Sequence, residues 1–417
     1  MLDWAACAIG GLAEPGTSEP RALASREGAG PCTIIGGRPA GPQAASLANG
    51  PLGAILEMDD VDKRALLHPG PVILPAALAA AEASGCDDGN RFLDAVVRGY
   101  EAMIRVGRAA GAGHYRYFHA TGTCGPFGAA AAAGSLLGLT PEGMAWALGN
   151  AGQQAAGLWQ VRHEPVYTKS LHNGRAAANG VAAALLASDG YAGPRAIFEG
   201  PQGFFAALCA GADPMDVVAR PDEGWAIHDV SFKPHAACRH AHAAIDVLLD
   251  LRAKAKGREP SAIEIGTYAD AVTFCDRPTP VSVGQAKFSL QHAAAAVWSY
   301  GDAGLARFTM AAIAEPELNR LRGLTTVATD PEITGRYPGR FGARAKVTFG
   351  DGTSVSAATH DALGDPERPI SSEALLTKAQ SLMAWGGLQP SQAEALISAC
   401  LGLGQTHGLS ALSAALP

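Results

Sequence analysis

Charged and aromatic side chains are both scarce in this chain, at 17% and 6% of its 417 residues. A net charge of −7 offers no basic face for phosphate neutralisation, which argues against a nucleic-acid partner. A few local Lys and Arg side chains can still hold a small anion inside a diffuse negative field. Apolar runs are short and broken by Gly, Pro or charge, so no membrane span or membrane partner is expected. The opening segment MLDWAACAIGGL is apolar but carries Asp3 and no basic lead-in, unlike a secretory signal. The eight cysteines form no CxxC pair, which suits reduced thiols in a cytoplasmic protein. GxSxG, Walker and HExxH motifs are missing, and residues 122–128 (GTCGPFG) lack the GxGxxG spacing. Those absences remove most common cofactor enzymes, and no cofactor is expected.

What the chain has in quantity is Ala and Gly. Runs such as residues 128–133 (GAAAAA) suit closely packed helices, because Ala loses no side-chain entropy and lets backbones approach. Helical patterning covers residues 73–84, 91–110, a segment starting at Pro141 with Thr140 as its cap, 174–190 and 235–251. The texture then changes. Residues 262–270 and 323–329 alternate like strands, and residues 343–358 hold two alternating runs around Gly350-Asp351-Gly352, a hairpin signal. Length alone favours more than one core. The expected fold class is mainly α: a large all-helical domain over residues 1–230 and a smaller α+β lid domain over 231–368. The lid carries a short antiparallel sheet of three strands, and helices over 369–417 return to the helical domain.

Five segments concentrate His and Lys among Gly and Pro. Residues 57–70 (EMDDVDKRALLHPG) join Glu57, Asp59 and Asp60 to His68; a carboxylate and an imidazole suit general acid–base work, with a solvated acidic loop as the plain alternative. Residues 114–125 (HYRYFHATGTCG) place His119 and Thr121 before a helix that should begin near Gly125, where backbone N–H groups attract anions; a core histidine is the alternative. Residues 167–174 (YTKSLHNG) set Lys169 and His172 just ahead of an Ala-rich helix; such a lysine either snorkels outward or meets an anion. Residues 231–242 (SFKPHAACRHAH) hold Lys233 and Arg239, and His240 and His242 are too badly spaced to share a helix face in a tetrahedral metal set. No metal is therefore expected. Residues 285–292 (QAKFSLQH) place Lys287 and His292 at a helix start. Several cations and imidazoles without a metal cage suit a small anionic carboxylate: Lys and Arg hold it, His and Glu manage one proton.

Taken in order, these segments resemble the MmgE/PrpD family, which contains 2-methylcitrate dehydratase, cis-aconitate decarboxylase and iminodisuccinate epimerase. The resemblance runs from Leu2 to about residue 385 and rests on the acidic loop ending in HPG, FHATGT, TKSLHNGRAAANG, the FKP segment and QAKFS. It implies a helical domain with an α+β lid, a site in the cleft between them, and a homodimer. It also implies an acid at Glu57, histidines at His68 and His119, and lysines at Lys169 and Lys233. Asp60, Thr121, His172, Arg239, Lys287 and His292 are expected to bind substrate. Two positions depart from the pattern. Glu57 stands where several members have Asp, and His292 where the decarboxylase has Tyr. Members also usually carry a further helical hairpin ahead of the segment matching LDWAACAIGG.

The leading expectation is a dehydratase-type lyase acting on a hydroxylated di- or tricarboxylate, by proton abstraction next to a carboxylate. An epimerase that returns the proton to the opposite face, a decarboxylase, and a degenerate carboxylate-binding or scaffold homologue are the alternatives.

Overall fold

A computed structural model describes residues 1–219 and 224–417. The chain is mainly helical and divides into two compact units. The first comprises Met1–Ile55, Asp59–Val230 and Ser372–Pro417; the second comprises Leu56–Met58 and Ser231–Ser371.

The first unit opens with α1 (Leu2–Gly11), α2 (Pro42–Ala54), α3 (Gly70–Ser84) and α4 (Gly89–Tyr115). Asp88 caps α4 by accepting from the amides of Asn90 and Arg91, and Gly111, at φ 71°, breaks the helix near its end. Next come α5 (Ala120–Leu136), α6 (Pro141–Gly152) and α7 (Thr168–Ser188). The Thr140 hydroxyl caps α6 through the Gly143 amide, as the sequence predicts.

Helix α5 is the core of this unit, buried on nearly every face and packed by α3, α4, α6 and α7. It begins at Ala120, not near Gly125, and runs straight through Pro126. Gly and Pro read locally as a loop; burial of the whole Ala-rich surface overrides that preference. Likewise α7 starts at Thr168, so Lys169 and His172 sit inside its first turns and not ahead of it.

Helices α2 and α7 approach so closely that a Cβ on Gly50 would lie 2.5 Å from Gly174 Cα, and one on Gly174 would lie 2.3 Å from the Leu47 carbonyl oxygen. Only hydrogen fits at either position.

The second unit is built on β1 (Pro260–Thr267), β2 (Thr325–Thr329), β3 (Ala343–Phe349) and β4 (Ser354–Thr359), in the order β2-β1-β3-β4. Ile263 pairs with Val347 across an antiparallel ladder and with Thr325 across a parallel one. The sheet is therefore mixed and four-stranded, where three antiparallel strands were expected. Alternation marks a strand but carries no information about its direction.

The hairpin joining β3 to β4 turns at Gly352, at φ 81°. Ala343, Ala345, Val347 and Phe349 point inward from β3. Helix α8 (His242–Ala255) covers β3 and β4, and α9 (Leu290–Tyr300) packs on α8. The first unit also contains α10 (Ser372–Trp385), which packs on α1, α11 (Pro390–Gly402), and shorter helices at Ser18–Arg26, Phe204–Leu208 and Leu409–Ala415. Among the described residues, no helix is long and apolar enough to cross a membrane.

Candidate active site

In the first unit, the loop over residues 59–69 is held by its own carboxylates. Asp60 Oδ1 accepts the Gly70 amide at 2.9 Å, and Oδ2 accepts the Tyr100 hydroxyl at 2.7 Å. Burial, opposed by the Tyr100 bond, lifts the Asp60 carboxyl to about 7. Both oxygens are engaged, so Asp60 braces the His68-Pro69-Gly70 turn. Thr121 does the same from α5, its hydroxyl accepting the His68 amide at 3.0 Å.

The His68 ring is thereby presented with one nitrogen defined. Nδ1 lies 3.1 Å from the Asp60 carbonyl oxygen, its hydrogen-bond acceptor, and 2.9 Å from the Asp59 carboxylate in a less directed ion-pair contact. Both neighbours are acceptors, so Nδ1 carries a proton, and whenever the ring is neutral its lone pair is on Nε2. A carboxylate that orients an imidazole in this way prepares a general base.

His119, at the residue preceding α5, faces His68 with ring centroids 6.3 Å apart and packs on Trp159 at 4.6 Å. Its Nδ1 meets Nδ1 of His172 at 3.0 Å. Burial first, then the Lys169 charge, drives His119 well below the usual imidazole range, and the same two causes bring His172 to about 4. Both rings are neutral near pH 7. Lys169 stands beside them as a cation, half-buried in the first turn of α7. The first unit thus gathers His68, His119, Lys169 and His172 from three separate segments, with Asp59 and Trp159 added.

The second unit holds the other expected residues. Glu57, at φ 57°, sits in the left-handed region that non-glycine residues seldom adopt, and its Oε2 lies 3.3 Å from Lys233 Nζ. Glu57 is 6% exposed and Lys233 fully enclosed, so each charge neutralises the other away from water. Arg239 binds the Asp365 carboxylate at 2.5 Å and the Leu363 carbonyl at 3.1 Å.

His292 uses both ring nitrogens internally. Nε2 donates to the Arg307 carbonyl at 2.8 Å, while Nδ1 accepts from Arg322 at 2.9 Å; burial holds the ring near about 4. Lys287 is buried at the end of a short helix, and its carbonyl accepts the Cys238 amide at 2.9 Å. The remaining imidazoles of residues 231–242 are tied inside this unit too: His235 to Asp246, His240 to the Tyr268 hydroxyl and His242 to Arg239.

Sequence reasoning named Asp59 only as one of three acids and missed Tyr100 and Trp159. A carboxylate beside Asp60 was visible as a motif. The two aromatics carry no local signal, since each arrives from a distant helix.

Comparison with known proteins places these segments in context. The family profile for the MmgE/PrpD N-terminal domain matches residues 1–216, and that for the MmgE/PrpD C-terminal domain matches residues 235–403. A cis-aconitate decarboxylase-like protein, oryM, of Aspergillus oryzae is 31% identical over 385 residues, covering 85% of this chain and 79% of that protein. A cis-aconitate decarboxylase of Aspergillus terreus is 27% identical over 413 residues, covering 92% and 83%. The cis-aconitate decarboxylase of Homo sapiens is 27% identical over 365 residues, covering 82% and 74%.

Proposed function

The chain belongs to the MmgE/PrpD family, and from that premise we propose that it is a lyase moving one proton at a carbon next to a carboxylate of a small di- or tricarboxylic acid. The observation that carries this reading is the pair of facing imidazoles, His68 and His119, with the Lys169 cation alongside. Such a cation binds a carboxylate and stabilises the negative charge that grows on the neighbouring carbon.

Within that class, decarboxylation of a cis-aconitate-like acid stands first, because the relatives described above are named for it. The C–C bond to the departing CO2 breaks, its electron pair stays on carbon, and an imidazole N–H delivers the proton. Dehydration, the expectation from sequence, is the second reading. It is supported by the different settings of the two rings: His68 is backed by a carboxylate and suits a base, while His119 is backed by an imidazole and can hold a proton on Nε2. Glu57 and Lys233 are proposed as a charged pair that holds the framework of the second unit.

An NMR-monitored incubation with a panel of di- and tricarboxylates in D2O tests the reading. CO2 release with deuterium in the product supports decarboxylation, and loss of water supports dehydration. Deuterium washed into recovered substrate alone moves the assignment to an epimerase. If no polycarboxylate is turned over, the lyase proposal fails.

A further inference from the structure

His119 Nε2 is buried and has no hydrogen-bond partner among the described residues. The opposite nitrogen of the same ring, Nδ1, is 3.0 Å from His172 Nδ1, and the two ring planes are tilted by 44°. Two nitrogens at that distance can share one proton and only one: whichever ring donates, the other must offer a lone pair. His119 is 1% exposed, whereas His172 is half-buried, so the pair runs from an enclosed nitrogen to a ring with access to solvent. Trp159 closes one side of His119.

We propose that His172 is a positioning and relay residue for His119, passing the shared proton so that His119 Nε2 can gain or give a proton without the pair accumulating charge. The proposal rests on the reading of His119 as the proton-handling group.

In the deprotonating direction, the substrate C–H bond breaks, its electron pair stays on carbon, and a new N–H bond forms at His119 Nε2. The Nδ1–H bond of His119 breaks as the Nδ1–H bond of His172 forms, and the proton on His172 Nε2 leaves to water. Protonation of carbon is the reverse sequence, with water supplying the proton. The pair is neutral at both ends of the transfer. A lone imidazole in this position would have to become a cation in an enclosed setting beside Lys169, which burial and like charge both disfavour. The other ionisable groups that His119 feels are His68 and Asp59.

Two variants separate relay from packing. His172→Phe removes both hydrogen bonding and proton transfer, while His172→Gln keeps a hydrogen-bonding group that cannot relay. Both should lower kcat roughly ten- to a hundredfold, below the effect of removing a direct acid–base group, with KM within about twofold. Added imidazole should restore part of the rate, and kcat should rise with buffer concentration.

A second readout does not require turnover. In the full-length protein with 15N-labelled histidine, a shared Nδ1 proton should appear far downfield, and the His119 ring proton should exchange with D2O at least about tenfold faster in the wild type than in H172F. A Gln variant of full activity, or identical exchange in wild type and H172F, would overturn the relay. Slowed exchange in H172F without turnover of any polycarboxylate would keep the relay and defeat only the assigned reaction.

Discussion

The two units solve the problem of holding ionisable groups away from water in opposite ways. In the helical unit, His119 and His172 are kept neutral, and His119 Nε2 is left without a hydrogen-bond partner among the described residues. In the α+β unit, charges are kept and cancelled: Lys233 against Glu57, and Arg239 against Asp365. Neutral rings can exchange protons cheaply, whereas paired ions hold their charge and their geometry. On the proposed reading, turnover falls mainly to the first set and electrostatic framework mainly to the second.

Substitutions can break that contrast. The largest effect is expected from His119→Ala, which should cut kcat by roughly 10²–10⁴ while changing KM and the denaturation midpoint little. Steady-state kinetics and urea melts check it, and a variant with unchanged kcat would take His119 out of the chemistry.

Lys233→Ala should behave differently, since it strands the enclosed Glu57 carboxylate. A loss of about 3–5 kcal/mol in unfolding free energy is expected, and a variant as stable as the parent would show that the pair is not a framework. Lys169→Ala should raise KM roughly ten- to a hundredfold by removing one charged contact to a carboxylate, with stability nearly intact. Tyr100→Phe is milder. It deprives the buried Asp60 of a donor and should cost about 1–3 kcal/mol of stability.

The smallest effect is a slope. His172 and His292 bind protons only near about 4 in the folded chain, against 6.5 for a free imidazole. Between those values the unfolded chain takes up protons that the folded one refuses, so stability falls as pH drops through that window. Asp60 opposes this: folded, it keeps its proton up to about 7, against 3.8 when free, so its contribution declines as pH rises between them. With the His172 and His292 imidazoles pushed down against the one Asp60 carboxyl pushed up, denaturation midpoints should fall from pH 6.5 to 4.5. A flat profile would contradict the neutral rings.

The sequence disclosed the mainly helical fold well, because Ala-rich periodicity and the Thr140 cap are local properties. It failed where tertiary packing overrides local preference. The starts of α5 and α7 were misplaced because Gly122, Gly125 and Pro126 in the one, and Asn173 with Gly174 in the other, read as loop residues. That error hid the His119–His172 contact, since an imidazole placed ahead of a helix points nowhere in particular, while one in its first turns has a fixed direction. The strand β2 was visible as alternation, yet its parallel pairing with β1 depends on the connection between them. For the candidate site, the five segments were legible as segments. Partners 53 residues apart, as His119 and His172 are, leave no trace in local pattern.

The hydrogen-only contact of Gly50 with Gly174 has a consequence for how such a protein can diversify. Gly174 lies two positions beyond His172 on the same helix, against a neighbour that cannot recede. A single methyl added there would lever the helix outward and carry the imidazole away from its mate. Beneath His172, the interaxial spacing of these two helices is a fixed gauge. If the relay holds, evolution can retune a ligand's contacts more readily than the path of the hydrogen.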